Sequence, residues 1–422
     1  MRRKKLYIET IGCPKNYVDS EFLAGAFVSK GYDIVHSPDD ADTILVNTCG
    51  FIRPAKEESI DYILQYSRLN KEVIVMGCLV NRYKKELQDE IKEINNFYTI
   101  DEAFNKFAGV KYNKNINYSK RYFLDNKNYK YVKISEGCNH RCSFCTIPFI
   151  KGSLFSRKSD DIIKEIENIT SQGVNEIILT SQDLINFGTD NNETLYDLLK
   201  KIDNINGDFK VRLLYMFPDE RLIDIVKFIA SSEKFINYLD IPIQHINEEI
   251  LKKMNRPSSY DFYKSLIESI RNIIPDIVLR STFIIGFPGE SEKEFNELKD
   301  FLKDVKLNWV GFYKYSDEEG TKASELNNKV ADEVAEKRLE EIVELQKEIT
   351  DMWLKSRLGK IYDFYVDEVF EEEGVIIGRS EFETPDIDGN IIVKNISDFT
   401  NINNRKVKIV ETLDYDMEGV FV

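Results

Sequence analysis

The first part of the chain alternates short apolar runs with amphipathic segments. Three of the runs are β-branched and apolar, which is typical of buried parallel strands: KLYIETIG, TILVNTCG and EVIVMGC. The segments between them, 19–30 and 54–69, have helical periodicity, and Pro54 stands where a first helical turn tolerates proline. We therefore expect an open α/β sheet domain over residues 1–115, with a polar linker at 113–120.

The same alternation continues over residues 123–356 with a longer series of strands. The strand-like runs are YKYVKISEG, EIILTSQ, VRLLYMF, NYLDIPIQ, IVLRSTFIIGF and WVGFYKYS. Helical patterns lie between them at 159–172, 219–231, 259–273 and 291–305, and a charged helix follows at 331–356. Ser291, with Glu294 three positions on, predicts a capping box. Six strand–helix units indicate an α/β architecture with a partial TIM-like (β/α)6 barrel rather than a closed eight-stranded one.

Residues 357–422 change to short strands separated by Gly, Asp and Asn, a pattern that predicts a small all-β barrel of the OB type. This region holds seven Lys and Arg against 15 Asp and Glu, a net charge of −8. Such a surface repels phosphates and attracts a basic protein, so we do not expect stable binding of nucleic acid. The alternative is that the acidic surface serves only solubility.

Composition restricts the class of protein further. The chain of 422 residues is 42% hydrophobic, which is enough for folded cores, and its net charge of −15 favours a cationic partner. The N-terminus has no apolar signal-peptide core, and no stretch approaches the length of a membrane span, so we expect a cytoplasmic protein without membrane contact. Six cysteines in such a protein indicate metal binding or catalysis rather than disulfides.

Three of the cysteines form a compact motif, EGCNHRCSFCTIP, directly after a predicted strand. Cys138, Cys142 and Cys145 are spaced C-x3-C-x2-C. Three thiolates can bind three irons of a 4Fe-4S cubane and leave the fourth iron open to a ligand. The alternative is a structural zinc site with His140 as the fourth ligand.

The other three cysteines, Cys13, Cys49 and Cys78, are far apart in the sequence but have similar surroundings. Each follows an apolar strand and has a glycine beside it. The carboxyl ends of parallel strands meet at one edge of a sheet, so the three thiols are expected to meet there. The alternative is three buried reduced cysteines that act as small apolar side chains.

Both motifs resemble the radical SAM methylthiotransferase family. The similarity is carried by EGCNHRCSFCTIP together with IETIGCPKNYVDSE, VNTCGFI and MGCL, and it spans the whole chain. It implies a cluster domain at 1–115, a radical SAM domain at 123–356 and a TRAM domain at 357–422. It also implies two 4Fe-4S clusters, one on each set of three cysteines, with S-adenosylmethionine on the open iron of the cluster held by Cys138, Cys142 and Cys145.

The resemblance extends to further residues near the cofactor. Phe144 is expected to pack against the adenosyl group, or else to be ordinary core packing. Ser181 and Gln182 end one predicted strand at the expected mouth of the barrel and are candidates for contact with the cofactor. Gly286 follows another strand, whose end contacts S-adenosylmethionine in the family, and the alternative is an ordinary turn before a helix. Arg280 is a candidate partner for a carboxylate of cofactor or substrate.

The motifs also resemble one branch of the family more than the other. Pro14 and Lys15 in GCPKN resemble the RimO-type branch, which modifies a ribosomal protein, whereas the branch that modifies tRNA tends to carry Gln-Met there. Lys151 and Asp317 depart from the branch pattern, where Arg and Pro are more usual. Neither departure removes a group that the chemistry needs.

This branch implies methylthiolation of the β-carbon of an aspartate in small-subunit ribosomal protein twelve. Two S-adenosylmethionine molecules would serve as radical source and methyl donor, with a sulfide or persulfide as sulfur source and a separate electron donor. One alternative is the same chemistry on an adenosine of tRNA. Another is a non-catalytic iron–sulfur or zinc protein that docks on ribosomes through its terminal barrel.

Overall fold

The computed structural model describes residues 2–112, 116–256, 258–400 and 405–422, and the first of these ranges forms a five-stranded parallel sheet. Its elements are β1 (Lys5–Thr10), α1 (Pro14–Ser29), β2 (Asp33–Ile34), β3 (Thr43–Thr48), α2 (Arg53–Ser67), β4 (Glu72–Gly77), α3 (Cys78–Glu90), β5 (Asn96–Tyr98) and α4 (Ile100–Ala103). The strand order is β2-β1-β3-β4-β5, so the three predicted strands are central and two short unpredicted strands form the edges. Helix α1 begins at Pro14, five residues before the predicted start, with Pro14 in the first helical turn.

The predicted linker at 113–120 is only partly described, because residues 113–115 lie outside the described ranges. Its remaining part is not a solvated tether. Tyr118 is buried, and its ring packs on that of Phe22 with centroids 5.2 Å apart.

The central region is a six-stranded parallel sheet in chain order, which confirms the partial barrel. Its elements are β6 (Tyr129–Lys133), β7 (Ser135–Glu136), α5 (Ile147–Ile150), β8 (Phe155–Ser156), α6 (Ser159–Thr170), β9 (Glu176–Thr180), α7 (Leu195–Asp203), β10 (Lys210–Leu213), α8 (Leu222–Ser231), β11 (Phe235–Asp240), α9 (Glu248–Lys253), α10 (Tyr260–Ile273), β12 (Val278–Ile285), α11 (Glu292–Val305), β13 (Trp309–Lys314) and α12 (Asp332–Lys355). The strand order is β13-β12-β11-β10-β9-β6, and β7 pairs with β8 outside this sheet. Ser291 and Glu294 form the predicted capping box at the start of α11.

The terminal region is a six-stranded, mainly antiparallel sheet. Its strands are β14 (Ile361–Asp363), β15 (Tyr365–Phe370), β16 (Val375–Arg379), β17 (Ile391–Val393), β18 (Lys406–Leu413) and β19 (Asp416–Phe421), in the order β14-β18-β19-β17-β16-β15. The predicted strand over 361–370 is broken at the buried Phe364. The two halves then pair at opposite ends of the strand order, which requires the sheet to curl as an OB-like barrel does.

Buried ion pairs attach this terminal sheet to the central one. Arg379 pairs with Glu176 of β9, and Asp388 lies 3.4 Å from Arg280 of β12. Trp309 donates its indole N–H to the carbonyl of Phe382 at 2.9 Å. Over the described ranges, none of the helices has the length and apolar character needed to span a membrane.

Candidate active site

One cavity of about 760 Å³ collects the residues of interest, and all six cysteines line it. The N-terminal sheet contributes the ends of β1, β3 and β4, and the barrel contributes the ends of β9 to β13. Asp386 and Ile387, from the loop between β16 and β17 of the terminal region, complete the wall. All three parts of the chain therefore enclose one space, at the carboxyl ends of parallel strands, where such folds place their ligands.

The first triad forms where three neighbouring strands of the N-terminal sheet end. Cys13 is the N-cap of α1, Cys49 directly follows β3, and Cys78 is the first residue of α3. Gly12 lets two of these loops meet: its φ is +98°, and a Cβ there would lie 2.8 Å from Cys49 Cβ and 2.9 Å from Cys49 Sγ. The three cysteines therefore lie at the ends of neighbouring strands and line the same cavity.

Asn16 holds the three strand ends together. Its side-chain amide donates to the carbonyl oxygens of Ile11 (2.9 Å) and Thr48 (3.3 Å). Its Oδ1 accepts from the thiol of Cys78 at 3.6 Å. Asn16 belongs to the GCPKN motif, but its role depends on contacts across strands and was not predicted from the sequence.

The second triad lies on the loop after β7, and neighbouring elements of the barrel hold that loop. Cys138 N donates to the carbonyl of Gly152 at 3.2 Å, and Ser143 N donates to the carbonyl of Met254 at 2.9 Å. Cys145 N donates back to Cys142 O at 3.1 Å. The loop is therefore a fixed turn that presents its thiols to the cavity.

His140 does not complete a zinc site with these thiols. Its Nε2 lies 2.9 Å from Asp183 Oδ2, and its ring stacks on Phe217 with centroids 3.9 Å apart. Over the described ranges, no three His, Cys, Asp or Glu side chains converge on a point suited to one metal ion. Separated thiols are compatible with a cubane, because each thiolate then binds a different iron.

Burial governs the ionisation of the thiols. Desolvation raises the pKa of Cys49 to about 11 and that of Cys78 to about 12. It also raises the pKa of Cys138 to about 11 and that of Cys145 to about 12. These four thiols therefore favour the protonated form near neutral pH, and their binding of iron must release protons, as expected for thiolate ligands.

Each triad has one buried cation whose charge favours its thiolates. Lys151 lowers the pKa of Cys49 and Cys78 against the larger effect of burial, and Arg256 does the same for the second triad. Arg256 donates to the carbonyl of Pro242 at 2.7 Å, and it has no carboxylate partner within the described ranges. This donor set fits two anionic iron–sulfur clusters, because a buried cation offsets the negative charge of each.

Lys151 belongs to a buried charge network that joins the N-terminal sheet to the barrel. Lys133 and Lys151 both lie close to Asp19 of α1 and Glu136 of β7, with Lys133 Nζ 2.9 Å and Lys151 Nζ 3.3 Å from Glu136 Oε2. The Tyr112 hydroxyl lies 2.9 Å from Asp19 Oδ2. Burial opposes ionisation of Glu136, but the two lysines keep its pKa well below its usual range.

The other residues predicted near the cofactor have different surroundings. Phe144 lines the cavity and also packs against a small apolar cluster that includes Ile284 and Phe287, and its contact with the adenosyl group stays a prediction. Ser181 lines the cavity with its hydroxyl buried and without a partner in the described chain. Gln182 donates to Glu136 and so connects the cavity wall to the charge network.

Arg280 lines the cavity, but its guanidinium is already paired with Asp240 at 3.1 Å and Asp388 at 3.4 Å. Gly286 is not part of the cavity lining. A Cβ at Gly286 would lie 2.7 Å from that of Ala335 in α12, so this glycine permits close helix packing. The expected contact of Gly286 with the cofactor is therefore not supported, and Thr282 and Ile284 of the same strand line the cavity instead.

Three family models match the chain. They are the uncharacterized protein family UPF0004 at residues 5–98, the radical SAM superfamily at 132–302 and the TRAM domain at 358–422. A solved radical SAM methyltransferase, TsrM from Kitasatospora setae, matches with a TM-score of 0.53 at 14% identity over 74% of this chain and 75% of that one. OxsB, a cobalamin-dependent radical enzyme, matches with a TM-score of 0.52 at 12% identity over 83% of this chain and 56% of that one. These structures support the fold alone.

The fold, the cysteine loop and these matches define a radical SAM enzyme. Among curated relatives, ribosomal protein uS12 methylthiotransferase RimO of Aquifex aeolicus is 42% identical over 98% of this chain and 96% of the relative. The protein of that name from Thermodesulfovibrio yellowstonii is 40% identical over 99% of this chain and 100% of the relative. The chain belongs to the RimO family of methylthiotransferases, whose cofactors are 4Fe-4S clusters and S-adenosylmethionine.

Proposed function

We propose that the protein replaces a hydrogen on the β-carbon of an aspartate in ribosomal protein uS12 with a methylthio group. The observation that carries this proposal is that both cysteine triads open into a single cavity of about 760 Å³. Radical formation and sulfur delivery must act on one carbon, so their sites have to share a space. Relatives named for this activity match the chain over almost its whole length.

In this proposal each triad holds one 4Fe-4S cluster, Cys13, Cys49 and Cys78 the first and Cys138, Cys142 and Cys145 the second. When bound, the cluster of the second triad supplies the electron that cleaves S-adenosylmethionine to methionine and a 5′-deoxyadenosyl radical, and the cluster of the first triad supplies the site for sulfur. A radical is required because no side chain could deprotonate this carbon at neutral pH.

The cavity residues then have separate roles. Arg256 offsets negative charge at the second triad, and Lys151 does so at the first. Phe144 and Ser181 contribute an apolar and a polar part of the cavity wall. Arg280 shapes the wall through its pairs with Asp240 and Asp388.

The partners follow from the same reaction. A second S-adenosylmethionine supplies the methyl group, a sulfide or persulfide supplies sulfur, and an external donor supplies electrons in the cytoplasm. The basic substrate protein docks on the acidic terminal barrel, whose Glu371, Glu372 and Glu373 are exposed.

The test is anaerobic reconstitution with iron, sulfide and S-adenosylmethionine, followed by mass spectrometry of uS12 and of tRNA. The wild type should carry about eight irons, four per cluster. Cys142→Ala should lose half the iron and all production of 5′-deoxyadenosine. Cys49→Ala should lose the other half, keep that production and lose methylthiolation. Methylthiolation of tRNA without that of uS12 would overturn the substrate assignment, and equal loss of cleavage in both variants would overturn the division of roles.

A further inference from the structure

Lys15 is a buried cation in the cavity that has no acidic partner in the described part of the chain. It is 8% exposed, and its Nζ donates to the carbonyl oxygen of Ser181 at 3.3 Å. The same Nζ lies 4.4 Å from the ring centroid of Tyr215. A carbonyl and an aromatic face attract an ammonium but do not neutralise its charge, and an ammonium has three N–H donors to satisfy.

Other lysines of the cavity wall are different, because they have carboxylate partners. Lys127 pairs with Asp386 at 2.9 Å, and Lys151 pairs with Glu136 at 3.3 Å. Carboxylates that line the cavity have partners as well: Asp183 accepts from Asn186, and Glu318 pairs with Lys56 and Arg82. Among the described residues, the cavity therefore has spare positive charge at Lys15 and no unpaired carboxylate to match it. Such an unmatched charge is costly in a buried position.

The position of this ammonium determines what it can bind. Lys15 lies on α1 of the N-terminal sheet, but its side chain reaches the carboxyl ends of β9 and β10, where Ser181 and Tyr215 stand. Lys151 already provides a cation for the first triad, Cys13, Cys49 and Cys78. The free charge of Lys15 therefore faces the barrel mouth, where a substrate must present its reacting carbon.

We propose that Lys15 binds the side-chain carboxylate of the substrate aspartate and thereby selects aspartate at the reacting position. This inference rests on the proposed function. The carboxylate is bonded directly to the β-carbon, so holding it fixes the position of the C–H bond that is broken. An adenosine of tRNA has no carboxylate and would leave the ammonium unpaired. Lys15 acts here as a positioning and specificity-determining residue.

The test is a double-mutant cycle on binding, with the reductant omitted so that no turnover occurs. Fluorescence anisotropy would measure the affinity of holoenzyme with S-adenosylmethionine for a labelled peptide of the uS12 target loop, with either the natural aspartate or asparagine. The wild type should bind the aspartate peptide roughly 10- to 100-fold more tightly, the range for a hydrogen bond to a charged group. Lys15→Met should bind both peptides as weakly as the wild type binds the asparagine peptide.

Two further variants keep the interpretation specific. Lys15→Arg keeps the charge and should restore part of the discrimination, whereas Lys84→Met, at a lysine that pairs with Glu102 outside the cavity lining, should leave the discrimination unchanged. Iron content and the spectrum of the reduced clusters should not change in Lys15→Met. Discrimination between the two peptides that persists in Lys15→Met would overturn the inference. If that variant also lost iron, Lys15 would instead be a countercharge for a cluster. Failure of the wild type to modify uS12 would instead overturn the proposed function.

Discussion

Gly12 offers a sharp test of how the N-terminal triad is built. An added Cβ would lie 2.8 Å from Cys49 Cβ and 2.9 Å from Cys49 Sγ, whereas ordinary contacts begin at 3.4 Å. In Gly12→Ala, Cys49 must therefore move by roughly half an ångström, more than the ~0.2 Å by which metal–ligand distances vary. The φ of +98° adds backbone strain of about 1–3 kcal/mol.

Gly31 provides a matched control for the backbone strain. Its φ is +88°, but nothing lies within 4 Å of a Cβ built there. Gly31→Ala should therefore lose about 1–3 kcal/mol of unfolding free energy through strain alone and keep both clusters. Only the contact with Cys49 differs between the two variants.

The assay combines urea denaturation of the iron-free proteins with iron and sulfide analysis after reconstitution. Gly12→Ala should fall from about eight irons towards four, four being the content of one cubane. It should still produce 5′-deoxyadenosine but no longer methylthiolate uS12. Full iron and full methylthiolation in Gly12→Ala would refute the reasoning, and so would an equal loss of iron in Gly31→Ala.

Two other predictions concern charge in the terminal barrel. Burial raises the pKa of Asp388 to about 6, although the charge of neighbouring Arg280 opposes this rise. The ionised form is thus disfavoured in the folded state, so the wild type should lose up to about 3 kcal/mol of unfolding free energy as pH rises from about 4 to 6. Asp388→Asn should lack this loss. Urea denaturation across that pH range would contradict the idea if the unfolding free energies of the two proteins changed equally with pH. Changing the exposed Glu371–Glu373 run to lysine should slow association with basic uS12 roughly tenfold at low salt and less at high salt. Stopped-flow fluorescence would measure the association rate. Changing exposed Glu340, Glu344 and Glu348 of α12 to lysine provides the control, because equal slowing there would mean that only net charge matters.

Local pattern predicted much of the fold and the positions of the cysteines. The six barrel strands were found because each is a continuous apolar run, and Cys49 and Cys78 directly follow two such runs in the N-terminal sheet. The edge strands β2 and β5 were missed because two or three residues are too few to show a period. Helix α1 was predicted to begin too late, since its first turn carries the buried polar Lys15 and Asn16 rather than an apolar face.

Charge was the property that the sequence described least well. The count of acids in the terminal barrel treats all of them as surface, yet Glu383 is buried and paired with Arg357, and Asp388 is buried beside Arg280. These carboxylates hold the barrel in place and are not available to a partner. Asp388 lies 108 positions from Arg280 and 150 positions from Tyr238, whose hydroxyl donates to it, and no local pattern can reveal such pairing.

The buried network around Glu136 explains why such long-range pairing matters for the chemistry. Asp19 belongs to the N-terminal sheet, whereas Lys133, Glu136 and Lys151 belong to the barrel, and all four are buried. Two cations and two anions balance only while the sheet and the barrel keep their observed alignment, and removing one partner from a buried pair costs about 3–5 kcal/mol. The network therefore opposes sliding of one part on the other. Since each part carries one cysteine triad, the same ion pairs that fix this alignment also fix the separation across which sulfur and substrate must meet.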